Sequence, residues 1–373
     1  MKPSICLCMI VKNESKVIER CLASVRGLID TWVVSDTGST DGTQDLIRQT
    51  LEGIPGELYE EPWVNFGHNR TLNIAHARDK ADYLLLLDAD LTIRQDHQLP
   101  PLTADAYMIR HEGQMEYRIR RLVRGNTAWR YEGVTHEYLT TESAVIQENL
   151  DALVVVDFAD GGSRHDKFER DERLLKGDLE RNPDNSRTVF YLAQTLRDMG
   201  RANESADLYE RRAAMGGWPE EVYYSLLQAG ILKAETGDWP GGMDALTRAF
   251  EARPTRLEAC YELSSRLRIR GRYHAAHLFS SVGLGRPAPD DVLFVSPWVY
   301  RYGMLFEHSI TAYWVGDYAS SVKACDRLLA MKDLPEEYRK NTLSNRQFAV
   351  ARLAETRPAG PPHARKARAS TRR

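Results

Sequence analysis

Four glycines recur in the second half of the chain, and their spacing restricts the possible folds. They are separated by 37, 34 and 45 residues, at Gly200, Gly237, Gly271 and Gly316. Each lies between two helical patterns, and a proline closes each unit, as in "LLQAGILKAETGDWPGGMDALTRAFEARP". A period near 34 residues is typical of tetratricopeptide hairpins, which stack because one hairpin cannot bury its own apolar face. The spacing predicts an all-α repeat domain with an insertion before the fourth unit; an unrelated helical bundle is the alternative.

The first part of the chain has a different pattern, in which apolar runs of strand length alternate with helical periodicity. The apolar runs are "SICLCMIV", "TWVVSD", "GELYEEPW" and "YLLLLD". The helical segments between them are "ESKVIERCLASV", "TQDLIRQTL" and "NRTLNIAHARDK". Near-continuous apolar strands joined by helices indicate a parallel sheet that is covered on both faces. The later segments "DAYMIR", "YRIRRLVR" and "ALVVVDF" predict a mixed extension of this sheet.

These patterns divide the chain into three predicted regions. Residues 1–162 are expected to form an α/β domain with a mostly parallel, Rossmann-like sheet, and residues 163–356 the helical repeats. Residues 357–373 are rich in Pro, Ala and Arg, and predict a disordered basic tail because they offer little to bury. The chain has 373 residues, 42% of them hydrophobic, and a net charge of -3, which argues against a protein built mainly to hold nucleic acid.

The cysteines and the hydrophobic runs indicate the compartment. The five cysteines are an odd number and lack the spacing of metal fingers. Cys6 and Cys8 alternate along an apolar run, which predicts free thiols in the core and a reducing environment. No apolar run approaches the ~20 residues that span a membrane, and the N-terminus has no small-residue cleavage site. We therefore expect a cytoplasmic protein without a transmembrane segment; an oligomer is compatible with the sequence.

Polar clusters follow three of the predicted strands. "VKNE" follows the first strand, "SDTGSTDGT" the second, and "DAD" ends the run "YLLLLDAD". Because parallel strands place their carboxyl ends at one edge of a sheet, where ligands bind, these clusters are expected to converge. Asp88 and Asp90 repel each other and need a positive partner; hard oxygen ligands suit Mg²⁺ or Mn²⁺ together with substrate phosphates. A lone D-x-D also occurs as a helix cap or turn, but the convergence favours a metal site.

Four motifs together resemble those of a known family. They are "CMIVKNE", "VVSDTGSTDGT", "NFGHNRTLNIA" and "LLLLDAD". In this order they are similar to family 2 glycosyltransferases of the GT-A fold, in the subgroup with a tetratricopeptide-like domain behind the catalytic one. The resemblance implies a nucleotide-sugar donor, most often a UDP-sugar, and an inverting transfer of the hexosyltransferase type. It also implies an acceptor peptide, protein or glycan, which we expect the repeats to help select.

The resemblance implies a role for each residue of the donor site. Asp36 corresponds to the aspartate that accepts a hydrogen bond from the base, which suits N3–H of uracil. The segment containing Val11 contacts the base through its backbone, and Glu14 lies near the ribose. Asp88 lies close to the ribose and the metal ion, and Asp90 is the principal metal ligand.

Three further residues are assigned from the same resemblance. Arg70 corresponds to an arginine near the D-x-D loop and the diphosphate; a surface helix arginine is the alternative. In "WRYEGVTHEYL", Glu137 is the candidate for the general base that an inverting transfer needs. His136 is a candidate metal ligand or hydrogen-bond donor to the diphosphate, or else a histidine packed at a domain interface. Many family members place an "ED" base much farther beyond D-x-D, and no such pair stands out at that spacing here.

The segment between the two domains, "GGSRHDKFERDERLLK", is basic. It is expected to be a solvated first helix, with a basic face toward the diphosphate or an acidic acceptor as the alternative. Two other functions fit part of the sequence. An inactive transferase-like scaffold is disfavoured by the intact Asp36, Asp88 and Asp90. A nucleotidyltransferase usually has a glycine-rich loop after the first strand, and "VKNES" is not one.

Overall fold

The computed structural model describes residues 2–113, 116–161 and 166–356. The chain forms two compact units, Met1–Gly200 and Arg201–Arg373. The first combines a mixed sheet with helices, and the described part of the second is helical, which confirms the predicted fold class. The predicted tail at 357–373 and His165 of the basic segment lie outside the described residues.

The strands and helices of the first unit follow the predicted order. The strands are β1 (Ile5–Val11), β2 (Thr31–Asp36), β3 (Gly56–Glu60), β4 (Tyr83–Leu86), β5 (Leu91–Gln95), β6 (Ala106–Glu112), β7 (Tyr117–Arg124), β8 (Arg130–Glu132), β9 (Tyr138–Thr140) and β10 (Gln147–Asp157). The helices are α1 (Ile18–Val25), α2 (Thr43–Thr50), α3 (Phe66–Ala77), α4 (Lys167–Arg181) and α5 (Ser186–Asp198).

The main sheet has the strand order β3-β2-β1-β4-β7-β6-β10-β5. Strands β3, β2, β1 and β4 are parallel, whereas β7 is antiparallel to both β4 and β6. Strand β10 is parallel to β6 and antiparallel to β5. The predicted mixed extension is therefore confirmed, and the architecture is GT-A-like.

Strand β4 shows why the central strands are apolar throughout. Leu84 and Leu86 pack with Ile74 of α3 on one face of the sheet. Leu85 packs with Ile18 of α1 on the other face. Since successive side chains point to opposite faces and both faces are covered, every position of such a strand must be apolar.

The loops after β1 and β2 hold each other in place at the carboxyl edge of the sheet. Asn13 donates its backbone N–H to Ser39 Oγ at 2.9 Å, and its Oδ1 accepts the N–H of Thr40 at 2.8 Å. Ser15 donates its backbone N–H to Asp41 Oδ2 at 3.0 Å. These three hydrogen bonds satisfy the loop groups locally, and the two polar clusters form one surface, as expected from the ends of parallel strands.

Helices α4 and α5 belong to the first unit by their contacts and to the repeats by their sequence pattern. Thr135 Oγ1 donates to Asp171 Oδ1 of α4 at 3.1 Å. The His136 ring stacks on Tyr191 of α5, with ring centroids 4.2 Å apart. The compact unit therefore ends at Gly200, whereas the sequence pattern changes near residue 162. The domain limits 1–162 and 163–356 stay a prediction about sequence organisation.

The second unit contains helices that pack against their neighbours in chain order. They are α6 (Ala202–Ala214), α7 (Pro219–Glu235), α8 (Trp239–Ala252), α9 (Glu258–Ile269), α10 (Tyr273–Val282), α11 (Met304–Trp314), α12 (Tyr318–Leu329) and α13 (Glu336–Thr356). Gly237, Gly271 and Gly316 separate the hairpins α7/α8, α9/α10 and α11/α12. All three have positive φ, of 103°, 71° and 86°, as glycines ending a helix commonly do.

Small residues let the two helices of each hairpin approach. They occur seven residues before and five residues after each turn glycine: Gly230 and Gly242, Ser264 and Ala276, Ser309 and Ser321. A Cβ atom at Gly230 would lie 2.6 Å from Leu246 Cγ, so a larger residue does not fit there. In the other two hairpins the serine hydroxyl donates across the crossing, Ser264 to the Ala276 carbonyl at 2.9 Å and Ser321 to the Ser309 carbonyl at 2.7 Å. This repetition confirms the helical repeats.

A buried arginine organises the predicted insertion before the last hairpin. Arg256 is fully buried and pairs with Glu258 and with Asp291 of the insertion. It also donates to the carbonyls of Leu293 and Phe294, at 3.1 and 3.2 Å. The insertion ends in one π-helical turn, Val299–Gly303. A paired and hydrogen-bonded charge is tolerated in a core, so this arginine can fix an otherwise irregular segment.

The cysteines agree with the sequence prediction. All five are buried and free. In the described part of the chain, no helix is both long enough and apolar enough to cross a membrane.

Candidate active site

A cavity of ≈ 350 Å³ lies at the carboxyl edge of the first unit's sheet. We call it the strand-end cavity. Its polar lining comes from the ends of β1, β2 and β4 and from β6, β7, β10, α3 and α4: Lys12, Glu14, Thr37, Arg70, Asp88, Asp90, His111, Tyr117, Arg121, Asp157, Lys167 and Arg170. Val11 lines it as well, and its carbonyl accepts both the N–H and the hydroxyl of Thr37, at 2.9 and 3.0 Å. That carbonyl is thus engaged within the protein.

Asp36 lies at the end of β2, and one of its two carboxylate oxygens is hydrogen-bonded within the protein. Its Oδ1 accepts the backbone N–H groups of Gly38 and Ser39, both at 2.8 Å. Its Oδ2 is buried and has no hydrogen-bond partner among the residues that the structure describes. Because a buried acceptor without a partner is costly, this oxygen is suited to receive a donor from a ligand.

Asp88 lies between two guanidinium groups. Arg70 of α3 contacts its Oδ1, and Arg121 of β7 its Oδ2, the latter at 3.1 Å. Burial by itself would raise the pKa of Asp88, but the two arginines outweigh it and hold that pKa well below its usual range. The carboxylate is therefore ionised at any physiological pH.

A β-bulge brings Arg121 to this position. Leu122 pairs with Tyr107 across the β6/β7 ribbon and Arg120 pairs with Met108, which leaves Arg121 as the extra residue on β7. A bulge redirects the side chain of its extra residue, and bulges are common beside active sites. Arg121 Nε also donates to His111 Nε2 at 3.1 Å, so that ring nitrogen carries no proton. Burial, reinforced by the charge of Arg121, lowers the pKa of His111 to about 4.

Asp90 lies in the same cavity, beside the chain segment that follows β10. A Cβ atom at Gly161 would fall 2.6 Å from Asp90 Oδ2, so only glycine allows the backbone to come this close. Asp157, at the end of β10, lines the same cavity. The strand-end cavity is therefore lined by three carboxylates, Asp88, Asp90 and Asp157, together with lysine and arginine side chains.

Arg70 also connects the strand-end cavity to a second one. Its Nε lies 2.8 Å from Glu137 Oε1, and its guanidinium lies over the Tyr131 ring at 5.7 Å. Asp88 and Glu137 together raise the pKa of Arg70 despite its burial. The second space, of ≈ 340 Å³, is lined by Arg70, Asp88, Met108, Arg118, Ile119, Arg120, Arg121, Tyr131, Glu137, Tyr138, Leu139 and Gln147. We call it the Glu137 cavity; Arg70, Asp88 and Arg121 line both spaces.

The predicted set of metal ligands is only partly assembled. Among residues 2–113, 116–161 and 166–356, no three His, Cys, Asp or Glu side chains converge on a possible ion position. His136 lines neither cavity: its ring stacks on Tyr191, and burial lowers its pKa. The chain turns at His136 (φ 50°), and its ring packs against α5. Its role as a metal ligand or as a hydrogen-bond donor to the diphosphate stays a prediction, as does the alternative of packing at an interface.

The two aspartates still fit a divalent ion. Mg²⁺ and Mn²⁺ are held in such sites by one or two carboxylates, with substrate phosphates and water completing the shell. Asp90 in the strand-end cavity supplies such a carboxylate, and Asp88 a second whose oxygens also contact Arg70 and Arg121.

Comparison with known proteins identifies the first domain. The sequence model described as "Glycosyl transferase family 2" matches residues 6–152. Residues 6–152 are a family 2 glycosyltransferase domain. This stretch includes β1 except for Ile5, β2 to β9, and all the residues predicted for the donor site and the base.

Relatives extend the likeness to the repeats. A TPR repeat-containing protein of Synechococcus elongatus is 26% identical over 298 residues, which are 73% of this chain and 72% of that protein. The SPbeta prophage-derived glycosyltransferase SunS of Bacillus subtilis is 24% identical over 234 residues, 56% of this chain and 53% of SunS. The chain thus matches only about half of that transferase. Among solved structures, the crystal structure of MamA protein has a TM-score of 0.34 and 16% identity, over 52% of this chain and 90% of that one.

Within the first unit, sequence analysis missed Arg121, His111 and Asp157. The doubled arginine in "YRIRRLVR" was a usable indication, because it shifts the apolar alternation by one residue, as a bulge does. Nothing local distinguishes His111 or Asp157. Lys167 and Arg170 line the strand-end cavity, which favours the alternative of a basic face over a solvated helix.

Proposed function

We propose that this chain is a metal-dependent, inverting glycosyltransferase that moves a hexose from a UDP-sugar to an acceptor chosen partly by its repeats. The observation that carries the proposal is the strand-end cavity, where Asp88, Asp90 and the loop after Asp36 meet at the carboxyl edge of the sheet. Five free, buried thiols support a cytoplasmic location as part of this proposal.

The nucleotide would bind at the ends of β1 and β2. The unpartnered Oδ2 of Asp36 accepts a hydrogen bond, and N3–H of uracil supplies one. Val11 lines the cavity where the base would lie, and its carbonyl is already occupied by Thr37. Glu14 lies in the same cavity and accepts a ribose hydroxyl. Cytosine lacks N3–H, so a carboxylate at this position favours uracil over cytosine.

The diphosphate would lie between Asp90 and the cations Arg70, Lys167 and Arg170, all of which line the cavity. A divalent ion held by Asp90 and Asp88 would neutralise the charge that develops on the departing diphosphate. Arg70, fixed by two carboxylates, would keep a guanidinium at the junction of the two cavities.

Glu137 would act as the general base from the second cavity. The acceptor's nucleophilic group attacks the anomeric carbon and forms the new glycosidic bond. The bond from that carbon to the diphosphate oxygen breaks, UDP leaves with the electron pair, and Glu137 takes the acceptor's proton. The contact with Arg70 holds the carboxylate of Glu137 in place for this step.

Nucleotide release tests this proposal. The full chain is incubated with Mn²⁺ and a panel of nucleotide sugars, and UDP is measured with and without EDTA. Slow release of UDP that depends on Mn²⁺ supports a transferase. If no nucleotide is released from any donor, the chain is an inactive scaffold. Release of pyrophosphate from UTP and a sugar phosphate would instead indicate a nucleotidyltransferase.

A further inference from the structure

We propose that the acceptor binds through an anionic group, a carboxylate or a phosphate, held by Arg118 and Arg120 in the Glu137 cavity. That the bound molecule is the sugar acceptor rests on the proposed function. The anion site itself does not depend on it. The carboxylates Asp88 and Glu137 and four arginines line this space.

The charges of the cavity do not balance. Arg70 and Arg121 are paired with Asp88 and Glu137. Arg118 and Arg120 then remain as two positive charges without a carboxylate of their own in the cavity wall. A wall of low polarizability focuses the field of such charges, so an anion gains more here than at an open surface.

Arg118 has one donor that no group in the described part of the chain satisfies. Its Nη2 contacts Asp151, whose side chain is 72% exposed and therefore well solvated. Its Nη1 is buried and has no hydrogen-bond partner among the described residues. A buried guanidinium N–H without an acceptor is costly, and an anionic oxygen in the cavity would satisfy it.

Arg120 is held in position by neutral groups alone. Its Nε donates to Gln147 Oε1 at 2.6 Å, and its Nη1 to the Leu139 carbonyl at 3.0 Å. Its guanidinium lies over the Trp129 ring at 5.8 Å. In the described part of the chain, no acidic side chain forms an ion pair with it. The group is thus oriented in advance and keeps its full charge for a ligand.

The strand places the two arginines side by side. Arg118 pairs with Arg110 and Arg120 with Met108 across the ribbon, so both point to the same face. Two residues along a strand span about 7 Å, and guanidinium groups at that spacing can share one carboxylate or phosphate. Glu137 lines the same cavity. The acceptor class is therefore one in which the attacking group lies close to a carboxylate or phosphate.

Arginine side-chain NMR tests the anion site without any donor. The Nε–Hε signals of the full-length chain are assigned with R118Q, R120Q and R48Q, and inorganic phosphate and glutarate are titrated separately. Saturable shifts at Arg118 and Arg120, absent from Arg48 of α2, which lines neither cavity, are expected for at least one anion. The anion that causes them identifies the group. No saturable shift, or equal shifts at Arg48, would overturn the proposal.

A second experiment tests the anion in catalysis. The wild type, R118K/R120K and R118Q/R120Q are each given two sets of acceptors. The anionic set keeps its carboxylates or phosphates, and the neutral set is identical except that the carboxylates are amidated or the phosphates removed. We expect at least tenfold lower kcat/KM for the neutral set, the same loss in R118Q/R120Q with the anionic set, and partial recovery with lysine. Equal use of both sets by the wild type would overturn the inference. If wild-type protein releases no UDP from any donor, the proposed function fails, and the NMR titration still decides on the anion site.

Discussion

At the scale of single residues, the two aspartates of the D-x-D motif differ in what surrounds them. The sequence predicted that the pair needs positive charge and assigned that charge to a metal ion. The structure adds two guanidiniums from the chain itself, Arg70 and Arg121, on Asp88. Arg70 could be placed from its motif, whereas Arg121 reaches Asp88 only because of a bulge, which depends on pairing between distant segments. The shifted alternation in "YRIRRLVR" indicates a bulge, but nothing in that stretch shows which carboxylate Arg121 reaches.

Asp90→Ala is expected to abolish nearly all transfer while the chain stays folded. Asp90 lies at the edge of the sheet and its proposed role is to hold the metal ion, so its loss would remove charge neutralisation at the leaving group. The measurement is UDP release with Mn²⁺, and far-UV circular dichroism checks the fold. Asp45→Ala, at a side chain 89% exposed, is the matched control and should behave as wild type. Full activity of Asp90→Ala, or of the wild type in EDTA, would contradict the metal-dependent mechanism.

Asp36→Asn provides a sharp test of base recognition. An asparagine oxygen can still accept from Gly38 and Ser39, but its amide replaces the unpartnered Oδ2 with a donor, which in the proposed site would oppose N3–H of uracil. We expect UDP binding to weaken by ~1.5–3 kcal/mol, the range for a hydrogen bond to a charged group. Calorimetry measures it, and an unchanged affinity would show that this carboxylate does not contact the base.

His111 makes the stability of the chain pH-dependent. Its pKa is about 4 in the folded protein and ~6.5 in an unfolded chain, so the unfolded state binds the proton more tightly. The contribution of neutral His111 to the free energy of unfolding is fully present above pH ~6.5. It is lost as the pH falls toward 4, which lowers that free energy by about 3 kcal/mol in total. His111→Gln, which cannot protonate, should show a shallower fall in the free energy of unfolding between pH 6.5 and 4. Urea unfolding at several pH values decides; parallel curves for the two proteins would refute the assignment.

At the scale of secondary-structure elements, the strands and helices of the sheet core followed from apolar periodicity, and the hairpins from the glycine spacing. The short strands β5, β8 and β9 did not, because three to five residues carry too little pattern. For the contacts between helices, the sequence predicted only that a small residue lies where two helices meet. The structure gives this rule fixed positions, seven before and five after each turn glycine, as at Gly230 and Gly242.

The same substitution should have opposite effects at two helical glycines. At Gly242, a Cβ atom would lie 2.8 Å from Ala234 Cβ and 2.9 Å from the Gly230 carbonyl, so Gly242→Ala should destabilise by ~1–3 kcal/mol. At Gly177, inside α4, nothing lies within 4 Å, and Gly177→Ala should stabilise by ~0.4–1 kcal/mol. Thermal and urea unfolding measure both. Equal effects at the two positions would mean that the hairpin crossing is looser than described.

At the scale of the whole molecule, the order of an α/β domain and an all-α repeat domain was predictable, but the compact units were not. Helices α4 and α5 look like repeats in sequence, yet their side chains contact the glycosyltransferase domain through Thr135 and His136. A pattern reports which face of a helix is apolar and not what that face packs against. The residues of both cavities consequently belong to the first unit, Met1–Gly200.

This division predicts that substitutions in the second unit change the binding of the acceptor and leave the binding of the nucleotide unchanged. Trp314, at the end of α11, is 52% exposed and stacks on Tyr273 with centroids 4.6 Å apart, which gives a preformed aromatic surface for a partner. Trp314→Ala should raise acceptor KM about two- to tenfold, equivalent to ~0.5–1.5 kcal/mol for one aromatic contact, with UDP affinity unchanged. Leu246→Ala, in the buried core of α8, is the control: it should lower stability without a specific change in acceptor KM. If Trp314→Ala leaves acceptor KM unaltered, this surface does not select the acceptor, and the choice falls to the segment after Asp90, where Arg118 and Arg120 face Glu137.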